Sequence, residues 1–442
     1  MASLPTISLF TGAGGLDLGL DAAGFNNTVA VEMSDVAVRT LRENRTKWGK
    51  ILHGNVLDFI EQGLFERRAE KILAASGLRE KEIALLAGGP PCQPFSKSGY
   101  WSSGDSKRLD DPRARTMEAY FDVLETALPN AYLLENVPGL KFKGKSEGLH
   151  YIQTRLQEIN RKFRVDYSMD VKQINCANYG VPQARERVFV IGHRGGKNFK
   201  FPEPTHALPP PVEMTRANLE LGPYEVPQGL MRATTAWDAI GHLHDDNNPD
   251  LLPKGKWACV LPTIPEGFNY LWHTPRNPGV PLWGWRRAYY SMLLKIAKNR
   301  PCWTITAKPG QNIGPFHWKS RRFSTAELKA LQTFPEDYVV IGDVLEAHMQ
   351  LGNAVPSAMA EILGREILRQ FFGRKPATEP SLLPPQRDDC PPPETHLPST
   401  SLPKRILALC DATKSEHPGT GKGRGALARK PSIVPAGTTV NP

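Results

Sequence analysis

The sequence predicts an α/β fold: a largely parallel sheet flanked by helices, with a smaller loop-rich module placed late in the chain. Three observations support this. Short apolar runs alternate with helical periodicity from residue 4 to about 195, as in successive strand–helix–strand units. Glycines or carboxylates directly follow several of those runs, at the edge where parallel sheets bind ligands. From about 196 to 299, Pro, Gly, Trp and His become frequent and the helical period fades.

Residues 7–10 read as the first strand, and 29–31 as the second, ending in Glu32. Residues 51–52 open a weaker third, ending near Asp58. Residues 83–87 form a fourth, running into GGPPC, and 132–134 a fifth, ending in Glu135 and Asn136. Two more strands are expected within 166–192. Helices are expected over 34–45 and 114–128, and apolar-faced helical periodicity returns at 324–332 and 354–371. From about 375 the chain turns Pro/Ser/Thr-rich and then Gly/Lys/Arg-rich, which predicts disorder. The expected division is therefore 1–195, 196–299, 300–374 and a tail, 375–442.

Composition sets limits. The 442 residues suffice for two domains and a tail, and 40% hydrophobic content excludes a wholly disordered chain. A net charge of +10 points to an anionic partner, nucleic acid first. No run of about 18 apolar residues exists and the first residues, MASLPTISLF, lack a signal peptide's basic and apolar regions. A cytoplasmic protein without membrane contact is expected. The six cysteines are dispersed with no CxxC pair, so no metal site is expected.

Four motifs carry chemistry. In LFTGAGGLDLGL (9–20), Gly12, Gly14 and Gly15 permit a tight turn and close approach to a ligand. Glu32, about 20 residues on, can accept from ribose hydroxyls, and Asp58 from an adenine amino group. The pattern departs from GxGxxG and demands no pyrophosphate, so a nucleoside without phosphates fits, S-adenosylmethionine among them. The alternative is a tight strand–helix turn that binds nothing. In GGPPCQPFS (88–96), Pro90, Pro91 and Pro94 fix φ on both sides of Cys92 and would orient its thiol for attack; the alternative is a buried structural cysteine. The polar segment 97–113 could close as a lid, or be an ordinary solvated loop. Glu135 in ENV could hydrogen-bond a ring nitrogen, and Arg185 and Arg187 in QARER would share one strand face and could hold a base carbonyl or a phosphate. Each could instead be a surface ion pair. Lys254, Lys256, Arg276, Arg286 and Arg287 with Trp283 and Trp285 form a basic, aromatic stretch, unless the tryptophans are simply a small core.

Together, FTGAGG, Glu32, Asp58, GGPPCQPFS, ENV, QARER and QLGNAVP (350–356) resemble, in this order, the C5-cytosine DNA methyltransferase family over 4–195 and 300–370. The resemblance implies a Rossmann-like S-adenosylmethionine-dependent methyltransferase domain whose last helix packs beside the first strand. It also implies a target-recognition domain between QARER and RPCWTI (300–305), covering 196–299. Phe10, Gly12, Gly14, Gly15, Glu32, Met33, Asp58, Phe59, Pro91, Asn353 and Val355 would line the methyl-donor pocket. Cys92 would be the nucleophile, with Glu135, Arg185 and Arg187 holding a flipped cytosine. Gln93, Ser96, Lys97, Arg286, Arg287 and Arg321 would contact DNA. The implied reaction is methyl transfer to cytosine C5 within a short double-stranded DNA sequence, through a covalent Cys92–C6 intermediate and without metal. With no regulatory region before the first strand, a bacterial or phage monomer paired with a cognate restriction endonuclease is expected. An RNA cytosine-5 methyltransferase on the same scaffold, or an inactive DNA-binding relic, are the alternatives. A recognition stretch of about 100 residues favours duplex DNA, and intact Cys92 and Glu135 disfavour the relic.

Overall fold

A computed structural model describes residues 4–44, 48–62, 67–91, 115–141, 147–210, 224–243, 248–274, 277–283, 290–376 and 379–413. Seven strands build the main sheet: β1 Pro5–Leu9, β2 Asn26–Glu32, β3 Lys50–His53, β4 Leu85–Gly88, β5 Ala131–Asn136, β6 Asp170–Asn175 and β7 Glu186–His193. Their spatial order is β3-β2-β1-β4-β5-β7-β6. The first five run parallel, and β7 is antiparallel to both of its neighbours.

Period-two alternation sorts the strand side chains into two cores. On one face Ile7, Leu86, Leu134 and Val190 pack against α3 (Glu70–Ser76), α4 (Arg115–Ala127) and α5 (Glu147–Phe163) through Ile72, Leu124 and Ile152. On the other, Leu85, Leu133, Phe189 and Ile191 meet α1 (Gly15–Ala23) and α9 (Ser357–Phe372) through Leu20, Leu363 and Ile367. Among the described residues the remaining helices are α2 (Asp35–Asn44), α6 (Ala236–Ile240), α7 (Thr325–Leu331), α8 (Val344–Asn353) and α10 (Lys404–Thr413). Among the described residues no helix is long and apolar enough to cross a membrane.

The last large helix packs on α1, the helix after the first strand, rather than on that strand. Small residues make this possible: a Cβ on Gly19 would stand 2.2 Å from the Ser357 carbonyl oxygen, and one on Gly364 2.8 Å from the Ala23 Cβ. Other expectations shift by a few residues. Phe10 lies outside β1 with a left-handed φ of 57°, and β3 stops at His53, leaving Asp58 on a short 3₁₀ turn, Val56–Phe59. Helices α3 and α5 fall among the helices expected between strands, without a range of their own, and α8 is additional.

Among its described residues, the 196–299 stretch forms two-residue strands, α6 and 3₁₀ turns joined by loops. Trp257, Phe268, Trp272 and Trp283 form its core, so the described tryptophans are packing residues. The tail departs from its expected disorder as far as Thr413. Leu382 and Leu383 pack on the α1/α9 core, and Leu402 and Ile406 enter the tryptophan core. Residues 414–442 lie outside the described residues.

Gly19→Val places two methyl groups where backbone already sits. It is expected to lower stability by about 2–3 kcal/mol, read as a lower urea midpoint at unchanged slope.

Candidate active site

Strand order reverses between β1 and β4, so the chain leaves these neighbouring strands in opposite lateral directions. A crevice opens outside their carboxyl ends, where open α/β sheets bind ligands. The segments that enter it are 10–15, 32–34, 54–59, 88–91 and 135–137, with 185–188 alongside because β7 runs antiparallel. Register places Val188 opposite Asn136 and Phe189 opposite Glu135, which brings the start of β7 to the end of β5.

The glycine turn is fixed from three sides. Gly12 (φ 57°) and Gly14 (φ 83°) take left-handed conformations that suit glycine. The Gly12 amide donates to Glu32 Oε2 at 2.7 Å, and Glu32 Oε1 accepts from the Ser34 amide at 2.7 Å. The Tyr338 hydroxyl donates to the Ala13 carbonyl at 2.7 Å. A Cβ on Gly15 would lie 2.4 Å from the Val355 carbonyl oxygen, so Val355 backs the turn directly. Above Gly12, by contrast, a Cβ would meet nothing within 4 Å.

This arrangement tests the ligand class. A phosphate would find the Gly12 amide already taken and the Glu32 carboxylate in its way. A neutral ribose finds an acceptor there instead. Asp58 is exposed on its 3₁₀ turn, where Asn55 caps Leu57 and the Asn55 amide donates to Asp58 Oδ2 at 3.1 Å. Met33 is 65% exposed at the crevice mouth, Phe59 is half-buried against Gly54, and Asn353 is exposed at the end of α8. The donor set fits an uncharged nucleoside moiety.

The second half of the site is an ion pair. Arg187 Nε donates to Glu135 Oε1 at 2.7 Å, with each side chain 13% exposed. A Cβ on Gly89 would come 2.8 Å from Glu135 Oε2, so the chain leaving β4 brushes this carboxylate. The Asn136 side chain donates to the Pro90 carbonyl at 3.4 Å, joining the two strand ends just before position 92. Pro91 is exposed. Cys92, Gln93, Ser96, Lys97, Arg286 and Arg287, and the expected lid 97–113, lie outside the described residues.

Two expectations about arginines change. Arg185 does not share a task with Arg187: it is buried, and its guanidinium donates to the carbonyls of Ile305 at 3.0 Å and Gly352 at 2.9 Å. Burial, with Arg187 adding positive potential, lowers its pKa to about 9. It ties the start of β7 to the QLGN end of α8. Arg321, expected to contact DNA, is instead buried and bound to Glu327 through two bonds of 2.7 and 2.8 Å, which commits its guanidinium inside the fold.

Sequence reasoning missed several supporting residues. Tyr338 carried no motif. Gln183 is fully buried and bonds the Ile305 amide and the Leu331 carbonyl, although its place in QARER was visible. Asp17 lies one turn beyond the glycines, buried, accepting from the Asn27 side chain. Burial raises its carboxyl to about 7, partly offset by a hydrogen bond to Ser8, whose hydroxyl also meets Thr11 at 3.2 Å. Cys176 is fully buried, and burial lifts its thiol to about 12, so it is no nucleophile.

Similar sequences and folds are known. The family model "C-5 cytosine-specific DNA methylase" matches residues 4–369. The type II methyltransferase M.SacI of Streptomyces achromogenes is 33% identical over 390 residues, covering 83% of this chain and 93% of that protein. M.AquIA of Picosynechococcus is 40% identical over 204 residues, 45% of this chain and 76% of its own length. The fold is shared with a putative DNA modification methyltransferase from an E. coli prophage (TM-score 0.52, 20% identity, 84% of this chain, 100% of that one). It is also shared with the Spodoptera frugiperda DNMT2 structure (TM-score 0.51, 16% identity, 84% of this chain, 100% of that one).

The Asp17 network sets a pH dependence. The folded chain keeps a proton that the unfolded chain releases from pH about 4 upward, so stability falls as pH rises toward 7 and then levels. At 1.36 kcal/mol per unit the contribution is on the order of 4 kcal/mol. Asp17→Asn is expected to flatten the stability–pH curve between about pH 4 and 7. An unchanged slope in urea titrations of both proteins would refute the assignment.

Proposed function

The chain belongs to the C-5 cytosine-specific DNA methylase family, and we propose that it moves a methyl group from S-adenosylmethionine to C5 of a cytosine within a short sequence of duplex DNA. A DNA methyltransferase of the type II restriction–modification kind is the coarse identity; the chemistry below is our reading of the residues. The observation that carries it is the Glu135–Arg187 pair set beside Gly89, on the turn that leads within three residues to Cys92.

Cytosine C5 is a weak nucleophile. Addition of the Cys92 thiolate at C6 would turn the ring into an enamine-like species and raise electron density at C5. The Glu135 carboxylate, held in place by Arg187, would stabilise a proton on N3, and Arg187 would add positive potential near O2. The donor, held by Phe10, Gly12, Gly14, Gly15, Glu32, Met33, Asp58, Phe59, Pro91, Asn353 and Val355, supplies the methyl group. Loss of the C5 proton to a base and expulsion of the thiolate then restore the aromatic ring. A stacked base pair hides C6 from any thiol, so the cytosine must leave the duplex, at a cost of a few kcal/mol. We assign Arg185 a positioning role: its bonds to Ile305 and Gly352 fix the strand that presents Arg187.

Residues 196–299 are proposed as the target-recognition domain, between the catalytic stretches 1–195 and 300–374. Exposed Lys254 and Lys256 would bind phosphates there, and Gln93, Ser96, Lys97, Arg286 and Arg287 would add DNA contacts. The protein would act as a metal-free monomer in the cytoplasm, protecting DNA from a cognate endonuclease.

Cys92→Ser is expected to abolish methyl transfer while retaining DNA binding. Glu135→Gln is expected to lower turnover about 10²–10³-fold. Duplexes carrying 5-fluorocytosine should become covalently trapped on the wild type in the presence of donor. Labelled methyl appearing in tRNA but not in duplex DNA would overturn the reading.

A further inference from the structure

Beyond the end of the family match at residue 369, the chain does something that match does not assign. Residues 379–407 run across the molecule from α9 to the tryptophan core, and three buried carboxylates on separate elements each accept one or more of their backbone amides. On α9, Glu361 is fully buried; its Oε1 accepts from the Ser381 amide at 2.8 Å and its Oε2 from the Leu382 amide at 3.0 Å. On α6, Asp238 accepts from the Arg387 amide at 2.6 Å while also pairing with Arg232. In the loop-rich module, Glu266 accepts from the Glu394 amide at 2.7 Å, and Lys298 bridges Glu266 and Glu394 at 2.9 Å each. The Leu397 amide then donates to the Pro262 carbonyl at 2.9 Å, and Leu402 and Ile406 finish beside Trp257 and Trp283.

We propose that residues 379–413 are a strap that positions the loop-rich module against the catalytic sheet and so sets how tightly the protein engages DNA. A solvated tail would not donate to buried charges elsewhere in the fold, whereas this one donates to three. Arg365, Arg232 and Lys298 stay with these acids when a strap amide is lost, so each amide holds the strap to the fold without being the carboxylate's sole partner. One end of the strap is fixed to the helix that backs the donor turn through α1. The other packs beneath Trp257, whose ring carries Lys256 at 5.2 Å. Moving the strap would therefore shift the basic surface of the module without touching the glycine turn. The inference rests on the proposed role of 196–299 in DNA recognition.

The test uses the full chain with Ser381→Pro, Glu394→Pro and Leu402→Asp, singly and combined. Each proline deletes one strap amide; the aspartate unseats the far end. The probe is unmethylated duplex DNA made by enzymatic amplification. Faster trypsin cutting at Arg387 and Lys404 should accompany a rise of about ten-fold in the KM for DNA. The KM for the donor, and the single-turnover rate at saturating DNA, should stay within about two- to three-fold. A released strap with unchanged DNA KM overturns the proposal. So does a loss of donor binding equal to the loss of DNA binding in all variants, which would mark a general folding role. If even the combined variant changes neither trypsin cutting nor KM, the amides do not hold the strap and the proposal fails. A wild type that methylates no duplex defeats the functional reading itself, a result distinct from any of these.

Discussion

The site depends on a backbone-to-backbone contact between the two ends of the catalytic domain. Gly15 lies so near the Val355 carbonyl that no side chain fits between them, and Gly19 stands as close to Ser357 one turn on. Helix α1 and helix α9 can approach this far only because glycine presents no Cβ. The turn at 12–15 is then shaped by residues more than 300 positions away, Tyr338 among them. The crevice at the glycine turn is thus completed by long-range closure of the chain, and a segment ending before residue 338 would hold the motif without the support that gives it form.

The Glu135–Arg187 pair obeys a different constraint. Glu135 ends a parallel strand, and its partner must reach the same sheet edge from the other direction. The antiparallel course of β7 does this, since its first residues lie opposite the last residues of β5. Arg187 therefore meets Glu135 with both side chains largely out of water, where the pairing is worth more than on a surface. Arg185, two residues earlier, falls outside the strand and spends its donors on carbonyls. Strand alternation alone suggested equal partners; the bend before β7 separates them.

Most of the catalytic sheet was legible in the sequence, because buried parallel strands read as apolar runs ended by glycine or a carboxylate. The motif residues Gly12, Glu32, Glu135 and Arg187 converge on one edge for the same reason. What stayed hidden is what depends on distant partners. Arg321 looks like a basic contact until Glu327 is seen beside it in the interior. Helix α5 has amphipathic spacing but lacks a motif, and Tyr338 acts through a single hydroxyl. Composition, too, misled at the C-terminal end: Pro, Ser and Thr without apolar periodicity signal disorder, and the order there comes from acids elsewhere in the chain.

An extended segment outside any sheet must find a partner for each buried amide, and ordering it costs conformational entropy. Between 380 and 403 the chain carries eight prolines, which remove amides and restrict φ before folding begins. Of the amides that remain, those at Ser381, Leu382, Arg387 and Glu394 meet Glu361, Asp238 and Glu266. Proline content that suggests a solvated tail therefore also lowers the cost of an ordered one. The difference lies in whether buried carboxylates await the remaining donors, and only the folded chain reveals that they do.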